Sequence, residues 1–290
     1  MRQGKVDRRL QVGRALIIVM GILFMAIGVV AATSPLPQEE GYLGRSFGEI
    51  RATDPQLGNV IWHDYVAFGT LLFGVSFLIV YLAWSGLRRS SREAWLSISV
   101  LAVTILAFLV LAHVPIGNTS FAHIGIATIL ALLLILGLAV SEKPVFSEID
   151  RNLPSLIGSC ACRGNMAAPW VEKAYEKHAW IFLFLLGIVF SPPIFYNLVT
   201  EPRDEVLLVP FLLGFAVTTV LISSTSYRKG KKWAWYLLWY VPVFWVIAGY
   251  LQYASGGQIP LVTIILSPVP VLGLLLPYRN FFPKAQVAPK

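Results

Sequence analysis

The sequence has little charge and almost no cysteine. Only 13% of its 290 residues are charged, 57% are hydrophobic, and the mean hydropathy is +0.70. A water-soluble domain of this composition would expose too much apolar surface, so a soluble fold is excluded. The two cysteines, Cys160 and Cys162, lie too close together in sequence to link distant elements, and we interpret them as free thiols.

The sequence also lacks a phosphate-binding loop and a zinc-protease HExxH motif, so nothing in it indicates a nucleotide-driven machine or a zinc hydrolase. Its net charge is +8. On so apolar a chain, this surplus indicates orientation in a membrane and not contact with nucleic acid. The lipid bilayer is therefore the expected partner, and nucleic acid is not.

Hydrophobic windows of about 20 residues, the length that crosses about 30 Å of hydrocarbon, occur eight times. They cover residues 15–33, 60–84, 95–113, 121–140, 180–199, 206–226, 233–253 and 260–277. With an even number of spans, both termini share one side of the membrane. The start of the chain, the turns after the second and sixth spans and the tail are basic, and the opposite connections are acidic or uncharged, which predicts a multi-pass cell-membrane protein with cytoplasmic N- and C-termini.

The first span has a second interpretation as a secretory signal. A basic start, an apolar run and the small residues Val30, Ala31 and Ala32 also fit a signal peptide with its cleavage site. The apolar stretch is longer than the core of about 7 to 15 residues that signals carry. We therefore retain it as a transmembrane helix.

Shifting the sequence by 140 positions reveals an internal similarity. The stretch LRRSSREAW (87–95) aligns with YRKGKKWAW (227–235), and Gly74 aligns with Gly214. A duplication would give two parallel four-helix units, residues 1–141 and 177–290, joined by a cytoplasmic connecting loop at 142–176. The alternative is that any two basic turns followed by an interfacial tryptophan look alike.

Three of the four histidines occupy the predicted outer ends of the spans. His63 opens the second span, His113 closes the third and His123 opens the fourth. Ionisable residues in membrane spans are costly and often functional, and neutral imidazole is a frequent ligand of haem iron and transition metals. Glycines of the second span, Gly69 and Gly74, would leave room for a flat cofactor. The alternative is that these histidines are solvated at the interface.

The segments HDYVAFGTLLFG and HIGIATILALLLILG, which begin at His63 and His123, are similar to the even-numbered helices of haem A synthases. The resemblance implies that these two histidines are axial haem ligands near the outer leaflet. The sixth and eighth spans, however, lack histidine, and the first outer loop lacks a cysteine pair. The YRKGKKWAW turn is just as similar to multi-span bacterial membrane proteins built from four-helix units, for which no activity follows. We therefore expect no enzyme activity.

Two other functions stay open at this point. Prolines in the second half would break helices and expose carbonyl groups, which favours a passive transporter of small solutes or lipids. They are Pro192, Pro193, Pro242, Pro268 and Pro270. The third interpretation is a non-catalytic scaffold or assembly subunit that binds another membrane protein.

Overall fold

A computed structural model describes residues 8–33, 46–113, 121–159, 181, 183, 209–243, 246–247 and 268–282. Among them are only helices and turns, without a strand. The long helices are α1 (Arg8–Thr33), α3 (Pro55–Tyr81), α4 (Arg92–His113), α5 (Phe121–Ser159) and α6 (Val209–Ile222). The short ones are α2 (Phe47–Thr53), α7 (Lys232–Leu238), α8 (Pro268–Leu275) and α9 (Tyr278–Phe281).

Four stretches of the described chain are long and apolar enough to cross a membrane: Arg8–Thr33, Tyr65–Arg89, Thr128–Phe146 and Pro210–Tyr227. They coincide with the first, second, fourth and sixth predicted spans. The chain is therefore an all-helical membrane protein. The predicted span at 180–199, apart from residues 181 and 183, and parts of those at 233–253 and 260–277 lie outside the described residues. The total of eight spans stays a prediction.

Side-chain caps set where the outer helices begin. The Ser46 hydroxyl accepts a hydrogen bond from the Glu49 amide at 3.2 Å, and the Glu49 carboxylate accepts one from the Ser46 amide at 2.8 Å, which is a capping box for α2. Asp54 accepts a hydrogen bond from the Leu57 amide at 3.0 Å, and Pro55 takes the first position of α3. The chain therefore enters its second predicted span through a defined turn.

Ser46 also stands in a GxSxG pattern at 44–48, the spacing of a hydrolase nucleophile elbow. Its hydroxyl is engaged as the cap of α2. In the described structure this serine therefore acts as a helix cap.

Helix α1 packs between α3 and α5 through glycines. On one side Gly28 meets Gly69, where an added Cβ at Gly69 would lie 2.5 Å from the Gly28 carbonyl oxygen. On the other side, an added Cβ at Gly13 would lie 2.7 Å from the carbonyl oxygen of Gly137 and 2.9 Å from Ser141. In membranes, where helices gain little from hydrophobic burial against each other, small residues allow this close backbone approach.

Helix α6 from the second half packs on α4 of the first half. A Cβ added at Gly214 would lie 2.7 Å from the Thr104 methyl group, so the helices are in close contact there. Nearer the outer end, Phe211 of α6 packs against both Phe68 and Phe108, whose rings stack with centroids 4.6 Å apart. This aromatic cluster joins α3, α4 and α6 into one core.

Helix α5 is longer than the predicted span. It continues through Pro144 and Pro154 to Ser159, so the first part of the predicted connecting loop, 142–159, is helical. At 39 residues, it extends about 58 Å, well beyond the hydrocarbon thickness. Its extension is held by packing, because Val145 is fully buried and Phe146 stacks edge-on against Trp95. Tertiary contacts thus override the helix-breaking signal of proline.

Candidate functional site

The predicted ligand histidines lie at the end of the molecule that the charge pattern predicts to face outward, which we call the outer end, and the opposite end is called the inner end. His63 lies in the third turn of α3, His113 is the last residue of α4, and His123 is the third residue of α5. For these three positions the structure describes the helical backbone. The register of the helices therefore decides which of them can meet.

His63 and His113 lie at the same height on neighbouring antiparallel helices. The stacked pair Phe68 and Phe108 fixes the register of α3 against α4. His63 comes five residues before Phe68, and His113 comes five residues after Phe108. Because the helices run in opposite directions, both histidine backbones stand about 7.5 Å beyond the stacked rings.

The height of His123 follows from the contacts of α1 with both neighbours. His123 is fourteen residues from Gly137, and fourteen residues along α1 from Gly13 is position 27, beside Gly28. Gly28 in turn is level with Gly69 of α3. The backbone of His123 is therefore close to the level of Gly69.

His63 is six residues before Gly69 and so stands about 9 Å further out than His123. The register therefore puts the backbones of His63 and His113 at one level and that of His123 at another. His63 and His123, the pair that the haem A synthase resemblance implies, therefore differ more in height than His63 and His113 do.

The space predicted for a flat cofactor is filled by the protein itself. Gly69 is covered by Gly28 and Ala32 of α1, and Gly74 faces the Phe215 ring, which would lie 3.0 Å from an added Cβ. Both glycines thus serve helix packing. In this structure neighbouring helices occupy the room at both glycines.

Metal-ligating groups are sparse in the described part of the chain. No group of three or more His, Cys, Asp or Glu side chains gathers there in a way that could hold a metal ion. Cys160 and Cys162, interpreted above as free thiols, and the fourth histidine, His178, lie outside the described residues. Of the prolines on which the transporter interpretation depends, Pro192 and Pro193 also lie outside the described residues, whereas Pro242 is in helical backbone and Pro268 and Pro270 lie in the first turn of α8.

The opposite, inner end carries two basic turns of similar construction. Helix α3 ends in a π-helical turn, Leu82–Gly86, and α6 ends in another, Ser223–Tyr227. Each is followed by a residue in the left-handed conformation, Ser90 with φ 51° and Gly230 with φ 69°. Those two residues are 140 positions apart, and at Gly230 the conformation accounts for the glycine.

Their hydrogen bonds also recur at a spacing of 140. The Ser90 amide donates to the Leu87 carbonyl at 2.9 Å, and the Gly230 amide donates to the Tyr227 carbonyl at 2.8 Å. One residue later, the Ser91 amide reaches the carbonyl of residue 86 at 3.2 Å, and the amide of residue 231 reaches that of residue 226 at 3.0 Å. The two turns therefore share one backbone design.

The tryptophan after each turn is anchored in the same way. The Trp95 indole donates to the Leu138 carbonyl of α5 at 3.1 Å, and the Trp235 indole donates to the Leu274 carbonyl of α8 at 2.9 Å. A buried indole N–H needs such an acceptor, because leaving it unpaired in an apolar region is costly. Each indole thus ties the helix after its turn to a second helix.

A phenylalanine and a cation complete both clusters. The Phe146 ring meets Trp95 edge-on at 5.4 Å, and Phe282 meets Trp235 edge-on at 5.2 Å. The Arg92 guanidinium lies 5.1 Å from the centre of the first phenylalanine ring, and the ammonium group of residue 232 lies 5.1 Å from the second. A cation at this distance is attracted by the ring face.

Glu93 joins the two turns. Its carboxylate lies 3.4 Å from the Lys229 ammonium and 3.5 Å from that of Lys231, and accepts a hydrogen bond from the Ser91 hydroxyl at 2.8 Å. Partial burial acts to raise the pKa of Glu93, but its backbone hydrogen bond, the Ser91 hydroxyl and the two lysine charges outweigh burial and lower that pKa. Sequence reasoning missed this contact, although a single acid within a basic turn is a usable signal.

We expect Glu93→Gln to lower the free energy of unfolding by about 0.5–1 kcal/mol, because it removes the ion pairs between the two turns. The effect is modest because Lys229 is largely exposed and solvent and salt screen the attraction. A lowered pKa means that the ionised carboxylate stabilises the fold above its ordinary pKa of 4.5 and that this contribution disappears as pH falls through the lower folded value. Melting temperatures of both proteins measured across pH 3–7 should therefore converge under acid. Parallel profiles would contradict this role of Glu93.

Comparison with protein-family models, with curated proteins and with solved structures gives no match. The function therefore has to be argued from the residues themselves.

Proposed function

We propose that the chain is an integral membrane protein of eight helices in two parallel four-helix units, with both termini cytoplasmic. In this proposal residues 1–141 and 177–290 form the units. The outer end of the first unit binds a transition-metal ion through His63 and His113. Haem held by His63 and His123 is the alternative ligand arrangement.

The two inner turns support the two-unit architecture. Both have a π-helical ending, and they share a left-handed residue and two backbone hydrogen bonds at a spacing of 140 residues. Each is followed by a tryptophan bonded to a carbonyl of a later helix and packed on a phenylalanine under a cation. Chance similarity of two basic turns explains the charges but not these shared contacts.

The contact of Glu93 with Lys229 and Lys231 also puts both turns at one end of the molecule. The turns are the most basic connections in the chain, and the positive-inside rule assigns such connections to the cytoplasm. The histidines at the opposite helix ends then lie towards the outer leaflet.

The single observation that carries the metal proposal is the equal height of His63 and His113 on adjoining helices. Two histidines at one level would supply imidazole nitrogens, which are ligands that zinc, copper, iron and nickel take. An ion between neighbouring helices needs little room, whereas haem needs an open slot. The glycines that would open one, Gly69 and Gly74, are covered by protein. The geometry therefore favours an ion over haem.

Elemental analysis of the protein purified in mild detergent tests the proposal, together with its reduced-minus-oxidised visible spectrum. We expect a stoichiometric first-row transition metal and no Soret band. A Soret band would favour haem and contradict the ion assignment. A colourless preparation that contains no metal and takes none up would overturn both arrangements.

A further inference from the structure

A basic groove lies at the inner end, between the start of α1 and the π-helical turn of α3. It has a volume of about 450 Å³ and is lined by Leu10, Gln11, Arg14, Trp84 and Arg88. Both charged residues in this lining are arginines. Among the described residues that line it, the groove therefore presents positive charge and no carboxylate.

We propose that this groove binds the phosphate head group of an anionic membrane lipid. Guanidinium groups present several donors in a fixed plane and bind phosphate oxygens in a bidentate manner. Basic pockets between transmembrane helices on the cytoplasmic side are suited to anionic head groups. Arg14 belongs to α1 and Arg88 to the short 3-10 turn, Leu87–Arg89, that follows the π-helical turn, so the phosphate would lie between α1 and this turn.

Trp84 places the groove at the membrane interface. Its side chain is 59% exposed, although it is large and mostly apolar, and the Arg14 guanidinium lies 6.0 Å from its ring centre. Exposed tryptophans are stable where hydrocarbon meets the head groups. The arginine is thus held by the ring at the depth where lipid phosphates lie.

The surface beyond the groove favours a lipid over a soluble anion. Further along α1, Val19 and Ile22 are more than half exposed, so an apolar surface faces the bilayer on the same helix. Acyl chains would continue along it while the head group occupies the groove. A free phosphate would gain only the contacts with the arginines.

The second basic turn cannot form the same site. At the spacing of 140 residues, Ser224 stands where the first turn has Trp84. The proposed site therefore distinguishes the two turns, although their backbones are alike. It does not depend on the metal at the outer end.

Binding of phosphatidylglycerol to the full chain in detergent tests this proposal by native mass spectrometry. The wild type is compared with the double variant Arg14→Ala/Arg88→Ala. The matched control is Arg89→Ala, which removes a neighbouring exposed charge that does not line the groove. Phosphatidylcholine and excess inorganic phosphate serve as ligand controls.

We expect the double variant to bind phosphatidylglycerol at least about tenfold more weakly than the wild type, because each lost guanidinium removes charge-assisted hydrogen bonds. Arg89→Ala should bind like the wild type, and inorganic phosphate should not compete. Unchanged binding by the double variant, or equal binding of phosphatidylcholine, would overturn the proposal. Full competition by phosphate would show a soluble-anion site and would also overturn it.

A second readout keeps the test independent of folding defects. Lipid with brominated acyl chains should quench part of the wild-type tryptophan fluorescence, and Trp84→Phe should lose that part. The variants should elute as the same monodisperse species as the wild type. Equal quenching in the wild type and Trp84→Phe would contradict the position of the lipid.

Discussion

Replacing Gly69 by alanine is expected to lower the melting temperature of the purified protein by several degrees. The added Cβ would lie 2.5 Å from the Gly28 carbonyl oxygen and would also overlap the Ala32 amide. Both obstacles are backbone atoms, which cannot rotate away as a flexible side chain can. Overpacking typically costs about 1–3 kcal/mol, and here α1 and α3 must separate along their length to relieve it.

Gly125→Ala is the matched control for this substitution. Gly125 lies in α5, and an added Cβ there would meet no heavy atom within 4 Å. Because alanine favours a helix over glycine by about 0.5–1 kcal/mol, this variant should melt at the wild-type temperature or slightly higher. If both variants melted alike, the tight α1–α3 contact would be refuted.

His63→Ala and His113→Ala should each remove the bound metal, whereas His123→Ala should retain it. Each of the first two changes leaves one imidazole of the level pair, and a single imidazole on a helix end does not hold an ion through purification. The third change leaves the pair intact, because His123 stands about 9 Å nearer the inner end. Metal content per chain after gel filtration is the measurement.

A different pattern of metal loss among the three variants would assign the site to a different pair of histidines. Loss of the chromophore or metal in His63→Ala and His123→Ala, with retention in His113→Ala, would assign the site to the pair implied by the haem A synthase resemblance. Near-wild-type melting of all three variants would show that the change in metal content is not caused by unfolding.

Helix positions were the most predictable part of the fold. The predicted spans 15–33, 60–84, 121–140 and 206–226 each overlap a helix that is long and apolar enough to cross a membrane. Hydropathy can locate these helices because the bilayer imposes both a length and an apolar surface. The same signal says nothing about which helices touch.

The contacts between helices could not be predicted from one sequence. Gly69 and Gly74 are small residues that allow another group to approach the helix closely. Hydropathy does not show whether that group is a cofactor, α1 or α6. The helical extension of α5 past Pro144 could not be predicted either, because proline locally predicts a helix end. Packing of Val145 and Phe146 outweighs that preference.

The sequence predicted which histidines could form the candidate site but not which two of them lie at the same level. The sequence singles out His63, His113 and His123 as residues near helix ends, whereas their relative heights depend on the register set by Phe68 and Phe108. The inner-end groove was not predicted, since Arg14 and Arg88 are far apart in sequence. Long-range register is a property of packing that local patterns do not contain.

Side-specific labelling of single cysteines tests the two-unit architecture most directly. With Cys160 and Cys162 replaced by serine, one cysteine is introduced at a time as Arg89→Cys, Lys229→Cys, Gly117→Cys or Gly257→Cys. The account predicts that a membrane-impermeant maleimide labels the first two only from the cytoplasmic side and the last two only from the outside. Labelling of Gly257→Cys from the same side as Lys229→Cys would contradict two parallel four-helix units.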